Sequence, residues 1–144
     1  MKPSPELVLN QAFAKIATEM GPALPPGYGQ GTAMTTGLLL LMVAQEFSRA
    51  AAIRKAENDA MRALFAEVAG RAGSALLPAL EEAARGSDAD LSVPALDAAN
   101  ARLKALLIAL HVHAEASLDT ELDHRIVRMM QDWARLRLVV LPAM

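Results

Sequence analysis

A long helical pattern over residues 32–68 constrains the fold of this chain more than any other feature. Apolar residues recur there at the 3.6-residue period of one helix face, and two glutamates share that face. The face comprises Leu39, Val43, Glu46, Ala50, Ile53, Glu57, Met61, Leu64 and Val68. A carboxylate among core residues is costly to bury unless a partner compensates its charge. Glu46 and Glu57 are therefore the leading candidates for a site.

The composition predicts an all-α fold. Hydrophobic residues make up 53% of the 144-residue chain but aromatic residues only 3%, so the apolar mass is mostly alanine, leucine, valine and methionine. Alanine and leucine are strong helix formers, and β-branched residues are sparse. We predict a four- or five-helix bundle with one long central helix, formed by residues 1–144 as a single domain.

Local signals place the shorter elements around this helix. A first helix is expected to begin at Pro5, with Ser4 as its N-cap, and to end at the Gly21-Pro22 pair. The glycine- and proline-rich residues 21–31 read as a long loop. A short helix is expected to begin as late as Leu77, because Pro78 interrupts its hydrogen-bond ladder, and residues 87–90 read as an exposed acidic loop.

The two last predicted helices begin near Ser92 and near residues 117–120, and the first of them has a coiled-coil-like seam. Its heptad d positions are Leu96, Leu103 and Leu110, and its a positions are Asn100, Leu107 and Ala114. An asparagine at an a position can fix the register and number of the packed helices. Packing within one chain is the favoured interpretation, with packing against a second chain as the alternative.

Charge and cysteine content exclude several classes of function. The net charge is −2, so no basic excess exists to neutralise a phosphate backbone, and no nucleic-acid partner is expected. The chain has no cysteine, which excludes disulfides, thiolate catalysis and cysteine-based metal sites. No serine–histidine–aspartate, phosphate-loop or dinucleotide-binding signature occurs, and no cofactor is predicted.

The sequence favours a cytoplasmic location. Residues 1–6 lack the apolar core of a signal peptide. The longest apolar run covers residues 38–44, well short of the roughly 20 residues that span a bilayer. We therefore expect no membrane span.

The candidate ligand-binding set comprises Glu46, Glu57, Arg49, Arg54 and Asn58. Two interpretations stay open for the glutamates. In the favoured one, they form buried or half-buried ion pairs with neighbouring arginines. In the other, they line a polar cavity as ligand contacts, acid–base groups or metal ligands.

Two histidine motifs give weaker signals. In His111-Val112-His113-Ala114-Glu115, residues two apart on a helix point away from each other, whereas His111 and Glu115 are four apart and could share a ligand. Both flank the apolar seam, so a solvated helix edge is the favoured interpretation. Glu121 and His124 form a single Glu-x-x-His step, where di-iron bundles need two, so no metal site is predicted.

The chain resembles a family of small all-helical proteobacterial proteins of unknown function, encoded near acyl-CoA dehydrogenase-like proteins. The resemblance includes the first helix, the Pro22-Ala23-Leu24 stretch, Ala44-Gln45-Glu46, Ala56-Glu57-Asn58 and the helix over residues 103–110. It implies a bacterial accessory role near acyl-CoA or small-molecule metabolism and carries over no catalytic residue.

The functional prediction rests on the excess of apolar residues in the long helix. Leu38, Leu40, Leu41 and Met42 surround the axis of the long helix, so this part must be buried on more than one side. A homodimeric interaction protein, paired through the long helix or the helix after Ser92, is favoured over an enzyme. The alternative is a binder of an apolar, acyl-type ligand among five methionines, with Glu46 and Glu57 as polar contacts. These are Met34, Met42, Met61, Met129 and Met130.

Overall fold

The computed structural model describes residues 3–141, so Met1, Lys2 and residues 142–144 lie outside it, including part of the segment considered for a signal peptide. Within this range the regular structure is entirely helical, which confirms the predicted all-α bundle with one long helix. The elements are α1 (Pro5–Lys15), a π-helical turn (Ile16–Met20), α2 (Gly21–Ala23), α3 (Tyr28–Val68), a 3₁₀ turn (Ala69–Arg71), α4 (Gly73–Arg85), α5 (Val93–Ala116) and α6 (Thr120–Leu136).

The chain divides into two compact units. The first contains the residues up to Ala50 together with the segment from Val139, and the second contains Ala51–Leu138. Helix α3, with 41 residues, contributes its first half to one unit and its second half to the other. The single domain expected over residues 1–144 stays a prediction, and each unit is described separately below.

The start of the first helix matches the prediction, but its end does not. Ser4 is the N-cap and Pro5 the first helical residue of α1. Gly21 and Pro22 do not stop the helical path, which continues through the π-helical turn into α2. Pro22 cannot donate a backbone hydrogen bond within this continuous path, and the wider π-helical turn lies directly before it.

The glycine-rich stretch is mostly helix rather than loop. The connection shortens to residues 24–27, and α3 begins at Tyr28 instead of Thr32. Gly27 makes the reversal with φ of 141°, a conformation that L-residues rarely adopt. The hydroxyl of Thr32 donates to the carbonyl of Tyr28, four residues earlier, at 2.9 Å.

Close packing of α1 against α3 organises the first unit. Gly37 sits at this crossing, where an added Cβ would lie 3.2 Å from Ile16 and 3.3 Å from Phe13. Leu41 and Ala44 are buried on this face of α3, and Gln45 exchanges hydrogen bonds with the backbone of Val140. The predicted stripe through Leu39, Val43 and Glu46 is therefore on the exposed side in this unit, contrary to expectation.

The second unit contains the main hydrophobic core, where the predicted stripe of α3 is buried. Its buried residues are Met61, Leu64, Phe65, Val68, Ala72, Leu80, Leu103, Leu107, Leu110, Ala114, Leu122, Ile126 and Trp133. Helix α4 begins at Gly73 rather than Leu77 and keeps Pro78 inside. Packing of its Leu80 in the core stabilises the helix despite the lost backbone hydrogen bond.

Packing within the chain buries the heptad seam of α5. All six of its a and d residues are buried, from Leu96 to Ala114, which confirms the favoured intramolecular interpretation. Helix α6 starts after Asp119, whose side chain accepts from the Leu122 amide at 3.1 Å. Val140 lies beyond the helix end and is exposed.

Candidate functional site

Glu57 is the centre of a buried polar network in the second unit. Its side chain is 0% exposed, and both carboxylate oxygens accept hydrogen bonds. Oε2 accepts from Asn100 Nδ2 and Lys104 Nζ, each at 3.0 Å, and Oε1 accepts from the Arg137 guanidinium at 2.8 Å. Lys104 and Arg137 keep 39% and 38% of their side chains exposed. The carboxylate is thus buried, while its two cations stay partly hydrated.

Two asparagine amides extend the network across the interior. Asn100 Nδ2 also donates to Asn58 Oδ1 at 2.9 Å. Asn58 Nδ2 donates to the Leu96 carbonyl at 3.4 Å and to Asp88 Oδ2 at 3.1 Å. Because these amides have partners, their burial beside leucine side chains avoids the usual cost of an unsatisfied polar group.

A bidentate ion pair ends the network. Arg62 donates to both oxygens of Asp88, at 2.9 Å through Nη1 and 2.6 Å through Nη2. The Asp88 side chain is only 2% exposed, so the predicted exposed loop is wrong at this residue. Among the described residues, Arg62 Nε is a buried nitrogen atom without a hydrogen-bond partner. The pair therefore tethers the α4–α5 connection to α3.

Helical geometry explains why neighbouring residues reach different partners. Glu57 and Asn58 are consecutive on α3 and point about 100° apart, so one side chain approaches Lys104 and the other Asp88. Asn100 and Lys104 lie one turn apart on α5 and both reach the Glu57 carboxylate. Lys104 Nζ also lies 5.6 Å from the centre of the Trp133 ring, a cation–π distance.

The network keeps its carboxylates ionised. Burial acts to raise the pKa of Glu57, but hydrogen bonds from Lys104, Arg137 and Asn100 together outweigh it and lower the pKa below its usual value. The hydrogen bonds from Arg62 are the main cause of the lowered pKa of Asp88. A general acid near neutral pH needs a raised pKa, so these groups suit structural ion pairing rather than proton donation.

The structure brings together only part of the predicted candidate set. Glu57 and Asn58 belong to one network, and Arg54, in the same unit, pairs with Asp97 at 2.6 Å. Glu46 and Arg49 belong to the first unit, where Glu46 is exposed and Arg49 donates to Gln45 Oε1 at 3.3 Å. The ion-pair interpretation is confirmed for Glu57, but its described partners are Lys104 and Arg137 rather than Arg49 and Arg54.

Sequence reasoning missed four members of the network, and only one had a usable signal. Lys104 follows Asn100 by one helical turn, so it was identifiable as a neighbour of the seam asparagine. Arg62 lies on a face of α3 that mixes polar and apolar residues, so the helical pattern did not single it out. Asp88 and Arg137 lie outside the helices, where helical periodicity does not predict the direction of a side chain. Their roles follow from contacts between residues 26 and 80 positions apart in the chain.

The second unit also carries an open groove beside α6. It has a volume of about 570 Å³ and a floor of small and apolar residues with charged residues at its edge. Its lining residues are Ala56, Ala60, Arg125, Arg128, Met129, Asp132, Trp133 and Leu136. Of the five methionines expected around a ligand, only Met129 lines this groove, since Met61 is fully buried and Met34, Met42 and Met130 are exposed.

Comparisons of the chain with protein-family models, curated proteins and solved structures gave no match. The resemblance to the proteobacterial all-helical family therefore stays a prediction. The function must be argued from the surfaces and contacts of the chain.

Proposed function

We propose that the protein is a homo-oligomeric interaction or accessory protein that pairs through the first half of α3. The observation that carries this proposal is a row of exposed apolar side chains: Leu39, Val43 and Phe47 are 55%, 54% and 60% exposed. Leu38 and Met42 flank them and are also exposed. We call these five residues the α3 apolar face. Monomeric soluble proteins rarely expose contiguous apolar patches of this kind without an interaction role.

The spacing of these residues favours a second copy of the same helix. Leu39, Val43 and Phe47 recur every four residues and form a ridge along α3. Two identical ridges of this type can interdigitate. A two-fold axis between two copies of the chain brings the same ridge from each copy into contact, so no second binding surface is needed. Full burial of a large apolar side chain contributes about 1.5–3 kcal/mol relative to full exposure. Because Leu39, Val43 and Phe47 are already partly covered, pairing would contribute roughly 1–2 kcal/mol for each. Glu46, one turn after Met42, gives the face a charged edge, as protein interfaces commonly have.

A lipid bilayer is the competing occupant of this face. By length and composition alone, the helical stretch Tyr28–Arg71 could cross a membrane, a test that core helices of soluble proteins also pass. The stretch carries Glu46, Arg49, Arg54, Lys55 and Glu57 among its charged residues, which are costly at the centre of a bilayer. Pairing between protein copies is therefore the proposal, and lipid binding is an outcome of its test.

Size-exclusion chromatography with light scattering tests the proposal. At micromolar concentration we expect a mass of about twice 15.3 kDa for the unmodified protein. Val43→Asp places a charge at the centre of the ridge and should give a monomer with an unchanged far-ultraviolet circular dichroism spectrum. Val112→Asp is the matched control, since Val112 is 58% exposed on α5, and it should leave the dimer intact.

A monodisperse monomer of the unmodified protein would refute the proposal. A dimer that persists in Val43→Asp but dissociates in Val112→Asp would move the interface to α5. Flotation with phosphatidylcholine–phosphatidylglycerol vesicles distinguishes the lipid alternative. Vesicle binding by a protein that is monomeric in solution, lost in Val43→Asp, would assign the face to a bilayer.

The groove beside α6 favours one second candidate function, the binding of an acyl-type anion. Met129, Trp133 and Leu136 offer contacts to an apolar chain, and Arg125 and Arg128 offer positive charge at the edge. Arg125 also contacts Glu67, so Arg128 is the arginine chosen for the test. An acyl chain with a terminal carboxylate matches this groove, because its chain can contact the apolar floor and its carboxylate the positive edge. Here Glu57 would support the groove indirectly through Lys104 and Trp133.

The fluorescence of Trp133, the single tryptophan of the chain, reports directly on this groove. Titration with dodecanoate below its micellar concentration should give a saturable change. Arg128→Ala should weaken binding about tenfold, the effect of one charge-assisted hydrogen bond. Arg85→Ala on α4 removes an exposed arginine elsewhere and should bind normally. An unchanged spectrum, or equal weakening in both variants, would exclude a specific acyl site.

A further inference from the structure

We propose that the turn between α5 and α6 forms a zinc site from His111, Glu115 and Asp123. One ligand atom from each side chain lies within 4.8 Å of the other two. His111 Nε2 and Asp123 Oδ1 are already 2.7 Å apart. The solvated helix edge expected from the sequence is thus replaced by a three-residue cluster in which His111 and Asp123 are half-buried. This site is independent of the proposed pairing face.

A short reversal of the chain brings the three side chains together. His111 and Glu115 lie one turn apart on α5, and Asp123 is in the first turn of α6. Leu118 adopts a left-handed conformation with φ of 57°, and the Asp119 amide donates to the Ala114 carbonyl at 2.9 Å. These contacts fold the start of α6 back against the end of α5. The sequence pattern predicted that His111 and Glu115 could share a ligand, but only this reversal of the chain brings Asp123 next to them.

The charges of the cluster favour a divalent cation. Glu115 and Asp123 hold two carboxylates near one another, and within residues 3–141 no lysine or arginine forms an ion pair with either. The His111 imidazole contacts Asp123 but compensates a carboxylate charge only when it is protonated. A divalent ion would neutralise both carboxylates and would bind the imidazole nitrogen at the same time.

The donor set favours zinc over calcium and magnesium. Imidazole nitrogen suits zinc better than it suits calcium or magnesium, which prefer oxygen ligands. Tetrahedral zinc with bonds of about 2.1 Å places its ligand atoms about 3.4 Å apart, within the present range of separations. Three protein ligands leave a fourth position for water, as in open zinc sites. Zinc binding therefore requires the His111–Asp123 contact to widen from 2.7 Å to about 3.4 Å and the exposed Glu115 side chain to turn toward the ion.

Isothermal titration of metal-free protein with zinc chloride at neutral pH tests the site. We expect one equivalent to bind and the thermal unfolding temperature to rise, because the metal binds the folded state. Asp123→Asn and Glu115→Gln should each weaken binding at least about tenfold. Glu115→Gln is decisive, because a simple histidine–aspartate hydrogen bond does not require Glu115. His124→Ala, an exposed histidine next to Asp123, is the matched control and should bind zinc normally.

Three results would overturn the proposal. The first is no zinc binding by the unmodified protein. The second is binding that neither Glu115→Gln nor Asp123→Asn weakens. The third is binding lost in His124→Ala, which would assign the metal to another surface. Circular dichroism of the metal-free variants verifies their fold, and Glu115→Gln, at an exposed position, carries the test where Asp123→Asn unfolds.

Discussion

Glu57→Ala should lower the free energy of unfolding by about 3 kcal/mol. The substitution removes an acceptor for Lys104, Arg137 and Asn100 at once and leaves the Asn100 amide buried with one contact fewer. Loss of one partner from a fully buried ion pair costs about 3–5 kcal/mol, and the lower end applies because both cations can still reach water. Urea denaturation followed by circular dichroism measures the change from the shift of the midpoint.

Glu46→Ala is the matched control for this prediction. Glu46 belongs to the same helix but is exposed, so loss of its surface interaction should change the free energy of unfolding by no more than about 1 kcal/mol. Equal effects of the two substitutions would contradict the structural role of the network. A small effect of Glu57→Ala would mean that the attraction within the ion pair only offsets the cost of removing its charges from water.

Acid titration gives an independent check on Glu57. Its pKa is lowered in the folded protein from the reference value of 4.5, so its contribution to stability is complete above that pH. The contribution is lost as the pH falls through the folded-state pKa, because protonation then occurs more readily in the unfolded chain. The difference in stability between the unmodified protein and Glu57→Ala should therefore be constant near neutral pH and shrink progressively below pH 4.5.

Asp88→Ala should destabilise the protein by about 4 kcal/mol. Its side chain is 2% exposed and receives both guanidinium hydrogen bonds of Arg62, which is itself only 12% exposed. Removal of the carboxylate leaves a guanidinium in a poorly hydrated place, with Nε already lacking a partner among the described residues. Chemical denaturation of the variant against the unmodified protein gives the magnitude.

A second substitution distinguishes the uncompensated charge from simple loss of packing. Arg62→Met in the Asp88→Ala background should recover much of the lost stability, because it removes a mostly buried charge that then has only the more distant Asp59 carboxylate, at 3.8 Å, as its described ion-pair partner. Asp132→Ala is the surface control, since Asp132 and Arg135 form an ion pair with both side chains mostly exposed, and it should cost less than about 1 kcal/mol. Additive effects of Asp88→Ala and Arg62→Met would show that the two side chains are not coupled.

Local periodicity was sufficient for the fold class, the starts of α1 and α5, the buried seam of α5 and the burial of Glu57. These features depend on residues within a few turns of one another, which the chain specifies wherever a helix forms. The same reasoning failed over residues 21–31, because glycine and proline weaken helix propensity without forbidding helix at favourable positions. In α4, packing of Leu80 in the core likewise outweighs the local preference of Pro78 against a helix interior.

Helical periodicity could not predict which face of α3 is covered, because that depends on contacts with distant parts of the chain. The stripe of Leu39, Val43 and Glu46 continues into the stripe of Ile53, Glu57 and Met61, yet only the second part is buried. The partners of Glu57 and Arg62 come from segments that one helix pattern does not relate, including Arg137 and Asp88 outside the helices. A helical repeat defines a face but not what packs on it, because that choice depends on where distant segments return in space.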